Sequence, residues 1–213
     1  MSISIFGIVY DISTLRLTLP FRKLSVLPDS ISKLVNLQIL DLNNNRLNSL
    51  QESIGELVNL KKLRLQNNHL TSIPESIGKL VRLQELNLRN NQLTVIPESI
   101  GKLVGLRDLD LRDNKLITLP ESIGNLINLE YLFLMDNKLR YLPKTITNIK
   151  GLLFINIRTY EINNLSLDTE ILVFYELDEE LTNLPIGLKE IWIKREKNGL
   201  NHKLPFGCVI KHF

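Results

Sequence analysis

A step of 23 residues governs this chain. Successive segments read LQILDLNNNRLNSLQESIGELVN from Leu37, LKKLRLQNNHLTSIPESIGKLVR from Leu60 and LQELNLRNNQLTVIPESIGKLVG from Leu83. LRDLDLRDNKLITLPESIGNLIN follows from Leu106, and LEYLFLMDNKLRYLPKTITNIKG from Leu129. Thr14 to Asn36 fits the same frame with Arg22 in the asparagine position, and Leu152 to Leu165 opens a further unit with Tyr160 there. A unit this short cannot surround its own leucines, so it is stable only when stacked on copies of itself. The chain is thereby restricted to a solenoid with one continuous core.

Each half of the unit has its own periodicity. Around Leu86 and Leu88 the apolar residues alternate with Glu85, Asn87 and Arg89, the period of a strand. Asn91 follows where the chain must turn, and its amide can donate to and accept from loop backbone in its own and the neighbouring coil. Asn45, Asn68, Asn91, Asn114 and Asn137 are therefore expected to stack as a ladder. Pro97 then starts a new segment, in which Ile100, Leu103 and Leu106 at spacing three indicate a short helical or 3₁₀ turn on the outer side. Slender strands inside and bulkier turns outside make an arc. The expected fold is an α/β solenoid: a horseshoe with a concave parallel β-sheet and short 3₁₀ or helical convex segments. Composition agrees, with 44 Leu, 22 Asn and no Ala, the residue a helix bundle would favour most.

The motif L-x-x-L-x-L-x-x-N-x-L, in five nearly intact copies, is the leucine-rich repeat signature, and the chain resembles that family most strongly over residues 14–165. Its LPESIGKL half resembles the intracellular 23-residue class of Ras-suppressor-like, Scribble-like and phosphatase-regulatory proteins. That resemblance implies a non-catalytic protein-binding scaffold, with a small GTPase or other signalling protein as its partner by analogy. Past Leu165 the frame shifts to coils of about 19–20 residues, judged from Leu184-Pro185 and Leu204-Pro205. Such L-P-x-G-L units are similar to the shorter repeats of some bacterial and giant-virus leucine-rich proteins. Ile, Asn and Lys are abundant and have A/T-rich codons, which makes a giant amoebal virus the expected source. The expected organisation is a single domain over 1–213: an N-terminal cap at 1–13, 23-residue repeats at 14–165, then shorter degenerate repeats and a C-terminal cap at 166–213. Pro20 marks an edge or bulge in the first strand, the ISIFGIV segment is expected to cover that edge, and Phe174, Trp192 and Phe206 to close the other end.

Repetition makes most positions structural, so function belongs where repeats differ yet still face outward: the third, fifth and seventh positions of each unit. In the middle of the wall these are Lys62, Arg64, Glu85, Arg89, Asp108, Asp110 and Arg112. Cross-strand pairs Lys62–Glu85 and either Arg89–Asp110 or Asp108–Arg112 are expected there, and a self-neutralised solvated sheet explains the zone equally well. Further on, Tyr131, Phe133, Met135 and Phe154 stand where other repeats carry polar groups, flanked by Arg112 and Arg158. Aromatic residues and Met rimmed by Arg have the composition of a protein-interface hot spot. Burial under the C-terminal coils is the structural alternative. The expected partner-binding set is Tyr131, Phe133, Met135, Phe154, Arg112, Arg158, Asp110 and Arg89.

Other function classes have less to stand on. The net charge is +3 with both signs interspersed, whereas a nucleic-acid or acidic-ligand binder, the alternative that would use Lys62, Arg64, Arg89 and Arg112, more usually clusters its cations. The repeated ESIG glycines form no phosphate loop, and no nucleophile or titrating cluster is evident, so no enzyme is expected. His202, Cys208 and His212 match no established zinc spacing, and no metal or cofactor is expected. A single cysteine fits a reducing cytosol. The opening MSISIFGIVYDIS lacks the basic stretch of a signal peptide, and no apolar run reaches the ~20 residues of a membrane span. A cytoplasmic monomer or homodimer is the expectation.

Overall fold

In the computed structural model, which describes residues 2–139, 142–149, 152–155, 171–177, 190–196, 202–204 and 206–212, the alternating halves of the units are strands. β1 (Ser2–Ile5) and β2 (Ile8–Asp11) form an antiparallel hairpin. The other strands are β3 (Arg16–Thr18), β4 (Ile39–Asp41), β5 (Lys62–Arg64), β6 (Glu85–Asn87), β7 (Asp108–Asp110) and β8 (Tyr131–Phe133). They continue as β9 (Leu152–Ile155), β10 (Ile171–Leu177), β11 (Glu190–Glu196) and β12 (Val209–His212). β3 to β12 lie side by side in chain order as one ten-stranded sheet, with parallel pairing throughout. From β3 to β8 the pairing steps by one repeat, so Leu17, Leu40, Leu63, Leu86, Leu109 and Leu132 run in a row and are all buried.

Between strands the chain makes 3₁₀ turns at Asp29–Lys33, Glu52–Glu56, Glu75–Lys79, Glu98–Lys102, Glu121–Asn125 and Lys144–Asn148. Spacing of three is the 3₁₀ period, so Ile100 and Leu103 both drop into the core. Each turn is entered from an extended residue, which is proline in five of the six: Pro28, Pro74, Pro97, Pro120 and Pro143. Gln51 occupies that position in the remaining coil at φ −74° and ψ 153°, within the range proline imposes. Its N–H donates no hydrogen bond among the described residues. Gln51→Pro is expected to stabilise the fold by about 0.4–1 kcal/mol, through a less free unfolded chain, seen as a higher urea midpoint at unchanged slope.

The asparagine ladder is present as expected. In Asn91 the amide nitrogen donates to the carbonyls of Leu88 in its own coil and Leu65 in the preceding one, both at 3.0 Å. Its oxygen accepts from Leu70 N at 3.0 Å. Asn68, Asn114 and Asn137 repeat this pattern, and Asn45 does so with Arg22 N and Leu24 N as its donors. Coil-to-coil joints on the outer side are made by glutamates: Glu52, Glu75 and Glu98 accept from the backbone N–H of Ser76, Ser99 and Ser122 in the next turn.

Both ends depart from the expected frame. The N-terminal segment is a hairpin separate from the main sheet, turning at Phe6 and Gly7 with φ of 51° and 76°, the conformation of a two-residue type I′ turn. It does not pair with β3. Instead β1 packs on the first 3₁₀ turn and buries Ile5 against the core. β3 stops at Thr18, so Pro20 lies beyond the strand. At the other end Tyr131 pairs with Leu152, a step of 21, and Leu153 with Leu172, a step of 19 that β11 and β12 repeat. The 23-residue frame thus ends at β8, one unit earlier than the leucine pattern suggested, and Phe154 lies beside Phe133 rather than Tyr131. Tyr160, Arg158 and most of 156–189 fall outside the described residues.

Candidate functional site

A solenoid strand shows one face to the core and the other to the concave wall, so three-residue strands present their first and third residues there. The register therefore brings Lys62, Glu85, Asp108 and Tyr131 into one row and Arg64, Asn87, Asp110 and Phe133 into the next. Among these groups the expected Lys62–Glu85 pair forms at 2.7 Å. Arg64 joins it, with Nε 2.8 Å from the other Glu85 oxygen and its guanidinium 3.8 Å from Asp41. Burial alone would raise the Glu85 carboxyl, but hydrogen bonds from Arg64 and Lys62 outweigh it and hold the group below its ordinary value.

The other expected pairings are replaced. Arg112 grips Asp110 with two parallel hydrogen bonds, 2.9 Å from Nε and 2.5 Å from Nη2. Residues two apart on a strand share a face at ~7 Å, whereas Asp108 is four residues and ~13 Å away along the extended chain. Asp110, which also accepts from Arg112 N–H, is thereby buried to 3% exposure. Arg89 turns to Asp113 at 2.8 Å instead. Asp110 thus belongs to the support of the wall rather than its contact surface, and its bond raises the Arg112 guanidinium above its ordinary value despite partial burial. A pair as open as Arg89–Asp113 contributes ~0–1 kcal/mol, so its main effect is to fix side-chain positions.

Where the charges end, the aromatic residues begin. Tyr131 and Phe133 stack with centroids 6.2 Å apart and planes inclined by 10°. The Arg112 carbon lies 4.7 Å from the Phe133 centroid, a cation–π contact that links the two zones and was not anticipated from the sequence. Tyr131 is 40% exposed, while Phe133 and Met135 are half-buried. The side chains of Phe154 and Arg158 lie outside the described residues. The shallow outer groove lined by Glu52, Glu56, Glu75, Lys79 and Lys102 has a packing explanation in the glutamate joints above.

Comparison with known proteins follows the same lines. Residues 36–57 and 58–116 match two models of the leucine rich repeat. No curated protein matches the chain. Among solved structures, a Leptospira interrogans leucine-rich repeat protein is 31% identical, covering 84% of this chain and 60% of its own, at a TM-score of 0.58. The plant peptide hormone receptor RGFR1 in complex with RGF2 is 33% identical, covering 92% of this chain and 35% of its own, at a TM-score of 0.72. An internalin (inlF) from Listeria monocytogenes, at 21% identity and a TM-score of 0.73 over 90% of this chain and 58% of its own, shares the fold. The chain spans at most 60% of the length of these three. Its strand register, asparagine ladder and outer turns, together with these matches, identify the chain as a leucine-rich repeat solenoid.

Proposed function

We propose that this chain is a non-catalytic interaction module that holds a partner protein on its concave sheet, centred on Tyr131, Phe133, Met135 and Arg112. Leucine-rich repeats generally mediate protein–protein contact, and one similar solved chain is a plant peptide hormone receptor in complex with RGF2. The observation that carries the reading is the exposed Tyr131 ring stacked on Phe133, on a wall where the three preceding coils place charged and amide groups at the same positions. Large rigid side chains there gain area on binding at little entropic cost. Signalling in a reducing cytosol is the setting we propose, in keeping with the resemblance to intracellular repeats and the single cysteine. The wall cations Lys62, Arg64, Arg89 and Arg112 are each within 2.8 Å of a wall carboxylate, which favours a protein partner over an acidic ligand.

The test is affinity capture from a eukaryotic lysate with wild type beside a Tyr131→Ala, Phe133→Ala, Met135→Ala triple variant. A partner of this wall is expected to lose about 2 kcal/mol or more of binding, ~30-fold, while the melting temperature of the bait moves little. Equal recovery of every captured protein by both baits would remove the patch from the reading. A collapse in melting temperature would instead assign these rings to the core.

A further inference from the structure

Over β4 to β7 and the turn after β7 the wall carries the cations Lys62, Arg64, Arg89 and Arg112. It also carries the carboxylates Asp41, Glu85, Asp108, Asp110 and Asp113. Every cation is matched: Lys62 and Arg64 by Glu85, Arg64 also by Asp41, Arg112 by Asp110, and Arg89 by Asp113. The carboxylate left over is Asp108, which has no ion pair or side-chain hydrogen bond among the described residues. The pairing geometry explains why. Glu85 beside it on β6 is held by two cations, and Arg112 beyond it is bound to the nearer Asp110. On its other side the register places Tyr131.

We propose that Asp108 anchors a basic side chain, arginine or lysine, of a protein segment lying across β7 and β8. This rests on the reading that the wall binds a protein. A half-buried carboxylate between Glu85 and Asp110 sits in a negative potential that neighbouring Lys62 and Arg112 offset only in part. Burial first, then repulsion from Glu85 and Asp110, already hold its carboxyl above the ordinary range. An incoming cation offsets the repulsion from Glu85 and Asp110 and gives the half-buried carboxylate the charged partner it lacks. It also meets the exposed Tyr131 ring, and Arg112 over Phe133 shows the neighbouring ring of the same stack receiving a guanidinium. The chain as a whole is positive, so this is a local negative site on a basic protein, and such a site selects a basic residue at one place on the partner rather than attracting any polycation.

A library of linear peptides displayed on phage, selected on the immobilised chain, tests the anchor. Peptides enriched on wild type are expected to share one Arg or Lys position. The best of them, synthesised, should bind Asp108→Asn about tenfold or more weakly, and a fresh selection on Asp108→Lys should put Asp or Glu at that position. Asp108→Asn is expected to melt no lower than wild type, because no internal cation loses a partner, so a loss of binding cannot be assigned to unfolding. Binding to Asp108→Asn within twofold of wild type, or enriched peptides without a common basic position, overturns the anchor. If those peptides still lose binding to the Tyr131/Phe133/Met135 triple variant, the wall reading survives without it. A selection that yields no peptide dependent on the wall overturns both.

Discussion

Replacing Asn91 with Ala is expected to destabilise the solenoid by about 3–5 kcal/mol, the largest single effect we foresee. The side chain is 7% exposed and its amide serves three backbone groups at once: the carbonyls of Leu88 and Leu65 and the N–H of Leu70. Alanine leaves the Leu70 N–H without a partner, at about 1–3 kcal/mol when water cannot reach it, and takes from each carbonyl one of its two amide donors, at about 1 kcal/mol apiece, since Asn68 still donates to Leu65 and Asn114 to Leu88; it also adds a small cavity. Two of the three lie in the preceding coil, so the loss falls on the joint between coils, which is where the cooperativity of a repeat array resides. Asn91→Asp separates the causes, since it keeps the volume but removes both donors and turns a charged oxygen toward two carbonyls. Equilibrium unfolding in urea is the measurement. A loss below about 1 kcal/mol for Asn91→Ala would mean that water takes the amide's place and the ladder is not a main source of stability. Asn137, which makes the same bonds but is only half-buried at the edge of the regular coils, should lose less.

What was legible in the sequence is what repetition imposes. The leucine row, the asparagine ladder, the 3₁₀ turns and the Lys62–Glu85 pair all follow from one coil laid on the next, because a fixed step converts spacing along the chain into adjacency in space. Choices inside one coil were less visible. Whether Arg112 takes Asp110 or Asp108, and Arg89 takes Asp113 or Asp110, depends on side-chain reach rather than on the period. Asp108, in the sequence one of two alternative partners for the wall arginines, is the wall carboxylate without an ion pair among the described residues. Signals for it were present, in a carboxylate whose neighbours at −23 and +2 are also acidic, Glu85 and Asp110. The early end of the 23-residue frame had its own mark. The turn ESIG becomes KTIT at Lys144, so Thr147 stands where four earlier coils have glycine, and the strand step after it shortens to 21.

That glycine is the basis of the second large effect. Gly78→Ala is expected to cost about 1–3 kcal/mol by overpacking, although alanine is ordinarily the better residue in a helical turn. A methyl group on Gly78 would lie 2.7 Å from the Ser99 carbonyl oxygen and 2.8 Å from Ser99 Cβ, both in the next coil. Neither can give way alone, since Ser99 N–H is held by Glu75 and its side chain is buried. Gly55 and Gly101 meet Ser76 and Ser122 in the same way, so the residue sets the distance between outer turns at every joint where it recurs. Its positive-φ freedom is not what matters here; the missing side chain is. The first coil supplies the contrast, because Ser32 holds the glycine position and the serine facing it, Ser53, is half-buried where Ser76 and Ser99 are buried. A looser joint is thus tolerated at the end of the stack, and Ser32→Ala should change stability by less than about 0.5 kcal/mol. Inside the stack a wider outer spacing would also tighten the arc, moving β5 relative to β6 and with them Lys62 and Glu85. Gly78→Ala with unchanged urea midpoint would show that the outer turns do not set the spacing, and the curvature of the wall would then have to come from the strands alone.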